Sequence, residues 1–245
     1  MATRAKWRGG WLQYYDNVTH ETIETFVGMH YYDDFVGAGA LVVPAAGAPE
    51  SGVDWAKKIV GAAPPLVAGV ADAAGGFIQC SLTADVQKQD AGFYMNDQRN
   101  FDLSKGLIWE ARVNHEVLPT LGAESVIGLI GDWADGPDAI TYSAFFTADG
   151  SGEIFCEMDD NATDRSATSG VTVLATAWHI YRIDFTVPTD VKFYIDGIDV
   201  TPATWAYAAV GANAVLQPYI GLYKAGATAG VGTVQVDYVR AWQTR

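Results

Sequence analysis

The sequence predicts an all-β protein, an antiparallel two-sheet β-sandwich of the jelly-roll type, and three observations support this fold class. Short apolar segments recur along most of the chain and are separated by turn residues. No segment shows the spacing of an amphipathic helix. The stretch 178–197 alternates apolar and polar residues on both sides of a turn, which is typical of a β-meander with one buried face.

The meander at 178–197 is the clearest element of the sequence. In its first strand, polar residues are interleaved with an expected apolar face formed by Trp178, Ile180, Ile183 and Phe185. A Val-Pro-Thr-Asp turn follows, because proline fixes φ and aspartate hydrogen-bonds its own backbone in turns. The second strand ends at Asp196-Gly197, a dipeptide that tolerates the positive φ angles of a tight hairpin.

The remaining strands are predicted from the same alternation and from the turn residues between them. Residues 37–54 are rich in Gly, Ala and Pro and indicate a loop, and the Ala-rich segment 201–214 indicates a loop over a sheet edge or one helical turn. The other predicted strands are 66–71, 76–84, 92–96, 107–116, 125–132, 140–147, 153–158, 171–175, 216–224 and 233–243.

Several short motifs carry a resemblance to a known superfamily. The segments WHIYRIDFT (178–186), VKFYIDGIDV (191–200), YYDDF (31–35), WEARV (109–113) and VDYVRAWQ (236–243) occur in this chain. In their order and spacing they resemble the concanavalin A-like modules of laminarinase-type glucanases and laminin-G-like domains. With WRGGWLQYYD (7–16), the whole pattern also resembles phage-encoded virion proteins of this fold, which are associated with head decoration. Fold alone does not determine function, because such sandwiches host lectins, hydrolases and structural modules.

The N-terminal residues 1–30 are predicted to form a β-hairpin arm, and residues 31–245 the sandwich. The arm is expected to contact a capsid lattice or other copies of the chain, because isolated hairpins are marginal and aromatic residues with arginine are typical of interface cores. An equally weighted alternative makes the hairpin an extension of one sheet. The expected interaction residues are Arg4, Lys6, Trp7, Arg8, Trp11, Tyr14 and Tyr15.

The charge and hydropathy patterns exclude several classes of partner. The net charge of −14 disfavours nucleic acids and anionic membranes. No apolar run is long enough for a membrane span, and the N-terminus has no apolar core of a secretory signal. The resemblance to phage-encoded virion proteins implies a location in the virion, after synthesis in the host cytoplasm.

Neither a metal site nor a cofactor is expected. Cys80 and Cys156 each alternate in phase with apolar neighbours, which predicts two buried free thiols, with a disulfide as the alternative. The acidic loops at 132–138 and 159–164 have oxygen ligands suited to Ca²⁺ but do not match the EF-hand order.

The sequence also predicts that the chain is not an enzyme. Glucanases of the resembled type carry two carboxylates on one strand as E-x-D-x-E, facing the cleft. The corresponding segment, AITYSAF (139–145), has no carboxylate. EIFCE (153–157) has glutamates at both ends, but Phe155 stands at the central position and the segment lies one strand later.

Three functions remain open at this stage. The first is a structural protein of a phage particle, acting as a capsid decoration or cement protein through its arm. The second is a carbohydrate-binding module. The third is a degenerate laminarinase-type glycoside hydrolase. For carbohydrate binding, the aromatic residues expected to stack on sugars are Trp133, Trp205, Tyr207 and Tyr223.

Overall fold

The structure, a computed structural model, describes residues 29–35, 55–61, 63–70, 76–120 and 122–244 in full, and the backbone alone of 3–8, 11–16, 22–23 and 28. Within these ranges the chain is built from strands and three 3₁₀ turns, at Leu103–Lys105, Pro137–Ala139 and Gly211–Ala214. No helix in this part of the chain is long and apolar enough to cross a membrane. The all-β class predicted from the sequence is confirmed.

The strands follow one another in chain order. They are β1 (Thr3–Arg8), β2 (Trp11–Asp16), β3 (Thr22–Ile23), β4 (Gly28–Asp33), β5 (Ala56–Val60), β6 (Leu66–Gly69), β7 (Ile78–Ser81), β8 (Gln89–Tyr94), β9 (Phe101–Asp102), β10 (Ile108–Val117), β11 (Ala123–Ile130), β12 (Ser143–Ala148), β13 (Glu153–Asp159), β14 (Asp164–Thr172), β15 (Trp178–Asp184), β16 (Lys192–Ile195), β17 (Ile198–Asp199), β18 (Val215–Lys224) and β19 (Thr233–Thr244).

Two large antiparallel sheets make up the sandwich. Sheet I has the order β17-β16-β15-β10-β19-β7-β6, and β4 also pairs with β19. Sheet II has the order β14-β13-β12-β11-β18-β8-β5, and β9 also pairs with β18. Strands far apart in sequence are therefore neighbours, as in β11 beside β18, and this order decides which side chains share a face.

The hydrophobic core lies between the two sheets. Aromatic rings from both sheets meet there: Phe146 of β12 contacts Tyr181 and Phe193 of sheet I, each at 5.2 Å between ring centroids. These three side chains are fully buried. Edge-to-face aromatic contacts add to the free energy of apolar burial, so this cluster fixes one sheet against the other.

The meander predicted at 178–197 is present, with one correction to its buried face. Strands β15 and β16 pair as expected, and Asp196 and Gly197 take positive φ angles of 51° and 79° at the hairpin. The core face, however, is formed by Tyr181 with Ile183 and Phe185. Trp178 lies on the other face, under the guanidinium of Arg112 at 4.7 Å. Because a cation can cover an aromatic ring outside the core, the apolar residue Trp178 lies on the solvent face of the strand. The apolar residues of this strand therefore do not all mark its core face.

Three strands of sheet II were not predicted, namely β5, the two-residue β9 and β14, which the strand predicted at 171–175 overlaps only at its last two residues. Strand β14 is an edge strand whose residues alternate between exposed and half-buried, and it is rich in Ser and Thr, so it lacks an apolar signal. Strand β5 follows the Gly-, Ala- and Pro-rich segment and carries two lysines. Edge strands commonly carry polar and charged residues, and apolar periodicity alone does not detect them.

The predicted N-terminal pairing is present and has an additional strand. Tyr14 pairs with Ile23 in the β2–β3 ladder, and β1 adds to the other edge of β2. Among the strands that the structure describes, these three form a sheet separate from sheets I and II. The side chains of the seven arm residues lie outside the described part of the chain, and the division into arm and sandwich remains a prediction.

Both cysteines are free and fully buried, as the sequence predicts. Cys80 lies on β7 of sheet I and Cys156 on β13 of sheet II. Burial raises the pKa of each thiol, because a thiolate is poorly solvated in the core. The two thiols are therefore unreactive core residues.

Candidate functional site

The face of sheet II that points away from the core carries an unusual row of polar residues. Tyr223 of β18 pairs with Asp90 of β8 on one side and with Glu124 of β11 on the other. The two carboxylate-bearing strands are thus separated by one strand. Since neighbouring strands are about 4.8 Å apart, the backbones of Asp90 and Glu124 are about 10 Å apart.

Asp90 is almost completely buried, with 2% of its surface exposed. Its Oδ1 accepts a hydrogen bond of 2.7 Å from the hydroxyl of Tyr219, which is itself fully buried. Burial raises the pKa of Asp90 to about 7, while the Tyr219 hydrogen bond and the nearby Lys58 and Lys88 act in the opposite direction. Asp90 can therefore hold or release a proton near neutral pH.

Glu124 is half-buried and has a similar affinity for protons. Burial raises its pKa to about 7, and the charges of Glu157 and Asp138 add to the effect. Burial also raises the pKa of Glu157, whose Oε1 accepts a 3.0 Å hydrogen bond from Thr147. Three carboxyl groups on this face thus favour their protonated forms more than exposed carboxyls do.

A loop at 131–142 covers part of this face and is held there by polar contacts. The carboxylate Oδ1 of Asp97 accepts hydrogen bonds from the Trp133 backbone and from Gln217 Nε2, both at 2.9 Å. Gln217 Nε2 also donates to the carbonyl of Gly131 at 2.7 Å. The indole of Trp133 then stacks on Tyr219, with centroids 4.4 Å apart and planes inclined by 14°.

Two glycines make this close packing sterically feasible. At Gly92, a Cβ would lie 2.4 Å from the Tyr219 hydroxyl, so only a residue without a side chain lets the phenol lie flat on β8. At Gly136 of the covering loop, φ is 104° and a Cβ would lie 2.9 Å from Cζ of Tyr223. The stack and the acidic row are therefore parts of one closely packed surface.

The four aromatic residues predicted to stack on sugars separate into two groups. Trp133 and Tyr223 lie on the solvent face of sheet II and are half-buried. Trp205 and Tyr207 are only 7% and 5% exposed and belong to the core, so the prediction for these two is corrected. Trp205 packs against Phe193 at 5.8 Å, because the segment after β17 folds back over the sandwich.

The segment 139–145, which the sequence resemblance equates with the glucanase catalytic strand, overlaps the start of β12, where the buried residues Ser143, Phe145 and Thr147 point away from the core. Glu153 and Glu157 lie on the next strand, where hydroxyls of Thr168 and Thr147 donate to them. The acidic loop at 159–164 is also used internally, since Asp160 accepts backbone hydrogen bonds from Thr163 and Ala208. Within the described residues, no group of three or more His, Cys, Asp or Glu side chains is placed to hold a metal ion.

Comparison with known proteins finds similarity at the level of structure. No protein-family model and no curated protein matches the sequence. Among solved structures, the chain is similar to an endo-1,3-β-glucanase from Streptomyces sioyaensis, with a TM-score of 0.57 and 16% identity over 91% of this chain and 99% of that one. It is also similar to an endo-β-1,4-glucuronan lyase from Trichoderma reesei, with a TM-score of 0.54 and 15% identity over 87% and 95%. The carbohydrate recognition domain of Emp47p matches with a TM-score of 0.52 and 9% identity over 83% and 95%.

The prediction that the chain is not an enzyme was wrong. It rested on the absence of a carboxylate from 139–145, but the sandwich as a whole is similar to that of a glucanase and a lyase. A carboxylate-free β12 excludes one arrangement of catalytic acids and does not exclude others. The acids of this face lie on β8, β11 and β13 instead.

These structural matches cover most of the chain, and they agree with the motifs seen in the sequence. They show a shared fold and, at such low identity, nothing more specific. The two antiparallel sheets and the matches to glucanases, a lyase and a lectin domain identify the fold of this chain as the concanavalin A-like jelly roll.

Proposed function

We propose that this chain binds a glycan on the solvent face of sheet II. The observation that carries the proposal is that Trp133, which stacks on the buried Tyr219, shares one surface with the half-buried Tyr223 and Glu124. Aromatic rings offer flat apolar area to the C–H faces of sugars, and carboxylates and phenols hydrogen-bond sugar hydroxyls. A surface with both kinds of group is suited to an uncharged or weakly charged polysaccharide.

The carboxyl groups of this surface are also of the kind that cleaves glycosidic bonds. Cleavage of a glycosidic bond uses one carboxylic acid and one carboxylate, and the two groups are separated by about 6.5–9.5 Å in inverting enzymes. Glu124 is half-buried with a pKa of about 7, so it can hold or release a proton at this surface near neutral pH. Asp90 has a pKa of about 7 as well, but it is 2% exposed and bonded to Tyr219, so it lies beneath the surface that a glycan would contact.

Calorimetric titration with laminarin, an uncharged polysaccharide, tests the binding proposal, and polyglucuronate, which carries a carboxylate on every residue, is the charged comparison that should bind more weakly. Trp133→Ala should weaken binding at least tenfold, which corresponds to about 1.4 kcal/mol. Trp242→Ala is the matched control, because Trp242 is a half-buried tryptophan on the solvent face of sheet I. Binding of either probe that survives Trp133→Ala but is lost in Trp242→Ala would place the glycan on the wrong sheet and overturn the proposal.

A reducing-sugar assay on the same probes tests turnover. Where product is released, Glu124→Gln should abolish release while retaining the fold, since the substitution keeps the side-chain shape. Release that persists in Glu124→Gln would show that Glu124 is neither the acid nor the base.

Decoration of a phage capsid through the arm is a second candidate. It is favoured by the pairing of β1, β2 and β3 with one another in a sheet of their own. A chain lacking residues 2–27 should then remain folded, shown by an unchanged circular dichroism spectrum, but fail to co-sediment with capsids. Loss of the fold on truncation would instead make the arm part of the sandwich.

A further inference from the structure

A second concave site lies at one end of the sandwich, next to the face described above. It is a cavity of about 370 Å³ between β4, the start of β5 and the segment 95–101. Pockets for small ligands usually have volumes of about 300–1,000 Å³, so this cavity lies at the small end of the range. It suits one ring-sized ligand rather than a length of polymer.

The apolar wall of the cavity is rigid. Trp55 is 3% exposed, and its indole Nε1 donates a 2.9 Å hydrogen bond to Oδ2 of Asp33. Tyr31 is packed edge-on between Trp55 and Phe101, with centroid distances of 6.1 and 5.9 Å. Because these rings hold one another in place, the wall is formed before any ligand arrives.

Another part of the lining presents amide side chains. Gln98 and Asn100 line the cavity from the turn that follows β8, and both are exposed. The turn is fixed by backbone hydrogen bonds from Gln98 to the Met95 carbonyl at 2.9 Å and from Asn100 to the Leu216 carbonyl at 3.1 Å. Each amide has two donors and an acceptor, a set that matches vicinal hydroxyl groups, and Nδ2 of Asn100 also contacts the Met95 sulfur at 3.9 Å.

The lining is also uncharged over most of its surface. The described residues that line the cavity include no Asp, Glu, Lys or Arg, and His30 is the one basic side chain among them. An amino sugar would lose its hydration here without gaining a carboxylate partner from these residues, and a uronate would find only His30. A cavity lined by aromatic rings and amide groups is suited to a neutral ligand that consists of one polar ring.

The cavity adjoins the proposed glycan face. Ala56 lines the cavity and also packs in the same apolar cluster as Tyr94 and Tyr219. Asp97, which holds the Trp133 backbone, belongs to the same turn as Gln98. A glycan lying on Trp133 can thus reach the cavity with its end.

We propose that this cavity is a subsite for a single uncharged pyranose ring, held between the Trp55–Phe101 wall and the amides of Gln98 and Asn100. The inference rests on the proposed glycan function and specifies which part of the glycan is bound where. It predicts selection for a neutral terminal sugar over its uronate or amino-sugar counterpart.

Saturation-transfer NMR with methyl β-glucopyranoside, glucuronate and glucosamine tests the subsite. The neutral glycoside should give a signal with the wild-type chain, and glucuronate and glucosamine should give little or none. Gln98→Leu and Asn100→Leu should each reduce the signal at least fivefold, and Gln98→Trp should abolish it by filling the cavity. Gln79→Leu, on the solvent face of sheet I, is the matched control.

The outcomes separate the subsite from the glycan face. Loss of glycoside signal in the cavity variants but not in Gln79→Leu supports the subsite. A wild-type chain that binds laminarin through Trp133 but gives no glycoside signal overturns the subsite and leaves the proposed function intact. A glycoside signal that depends on Gln98 and Asn100, with no polysaccharide binding that depends on Trp133, supports the cavity and overturns the glycan face.

Discussion

Replacing Lys224 with methionine should remove a contact that joins two loops to the end of sheet II. Lys224 is the last residue of β18 and is 0% exposed. Its ammonium donates to the carbonyls of Thr83 at 2.6 Å and Gly230 at 2.9 Å, and also to that of Asp85. Thr83 and Asp85 lie in the loop before β8, and Gly230 lies in the loop before β19. The single ammonium group of Lys224 therefore holds both loops against the end of β18.

The magnitude follows from these three hydrogen bonds. A hydrogen bond to a charged group contributes about 1.5–3 kcal/mol to stability. Desolvation lowers the pKa of Lys224 and offsets part of that sum. Lys224→Met keeps the aliphatic stem but leaves three carbonyls without their donor. We expect a loss of about 3–5 kcal/mol in the free energy of unfolding, because each buried carbonyl left without a donor costs about 1–3 kcal/mol.

Equilibrium unfolding in urea measures this difference, and the melting temperature should fall by about 10 °C. Lys105→Met is the control, because Lys105 is exposed and should change stability by less than about 0.5 kcal/mol. Hydrogen exchange should accelerate at 83–88 and 225–232 before it does elsewhere. A Lys224→Met chain within 0.5 kcal/mol of wild type, judged against the usual scatter of surface substitutions, would refute the account of Lys224 as a buried clamp.

Other consequences of the structure are open to the same kind of test. Thiol titration should detect neither Cys80 nor Cys156 before denaturation and both after it; a reactive thiol in native buffer would contradict their burial. Gly92→Ala should cost about 1–3 kcal/mol in urea unfolding, since its Cβ collides with Tyr219, and a neutral effect would argue against the flat phenol. The folded-state pKa of Asp90 is about 7, above the ordinary value of 3.8. The contribution of Asp90 to the free energy of unfolding therefore falls as the pH rises from 3.8 to about 7. Asp90→Asn keeps the acceptor for Tyr219, and its free energy of unfolding should depend less on pH than that of the wild-type chain. The same pH dependence in both chains would contradict the raised pKa.

The parts of the fold that the sequence predicted are those with strong local signals. Ile183 and Phe185 alternate with polar residues, and Asp196-Gly197 takes the positive φ angles that its composition favours. In contrast, β14 has an alternation of Ser, Thr and Ala without a large apolar residue until Val171, so nothing in its composition separates it from a loop.

The candidate site depends on an order of strands that local patterns do not contain. Asp90 and Glu124 are 34 residues apart in the sequence, and Tyr223 between them comes from a strand near the C-terminus. The raised pKa values of Asp90 and Glu124 come from burial on the assembled surface. From the sequence, the covering loop could be recognised only as an acidic segment that contains Trp133. Trp133 and Tyr223 could be proposed as exposed aromatics, but Trp205 and Tyr207 looked equivalent in the sequence and lie in the core.

Mapping of backbone amide chemical shifts during titration with laminarin tests the glycan face most directly. The account predicts that shifts concentrate on β8, β11, β18 and the covering loop at 131–142, and that they disappear with Trp133→Ala. Shifts that concentrate instead on the solvent face of sheet I, around Arg182 and Tyr194, would contradict it.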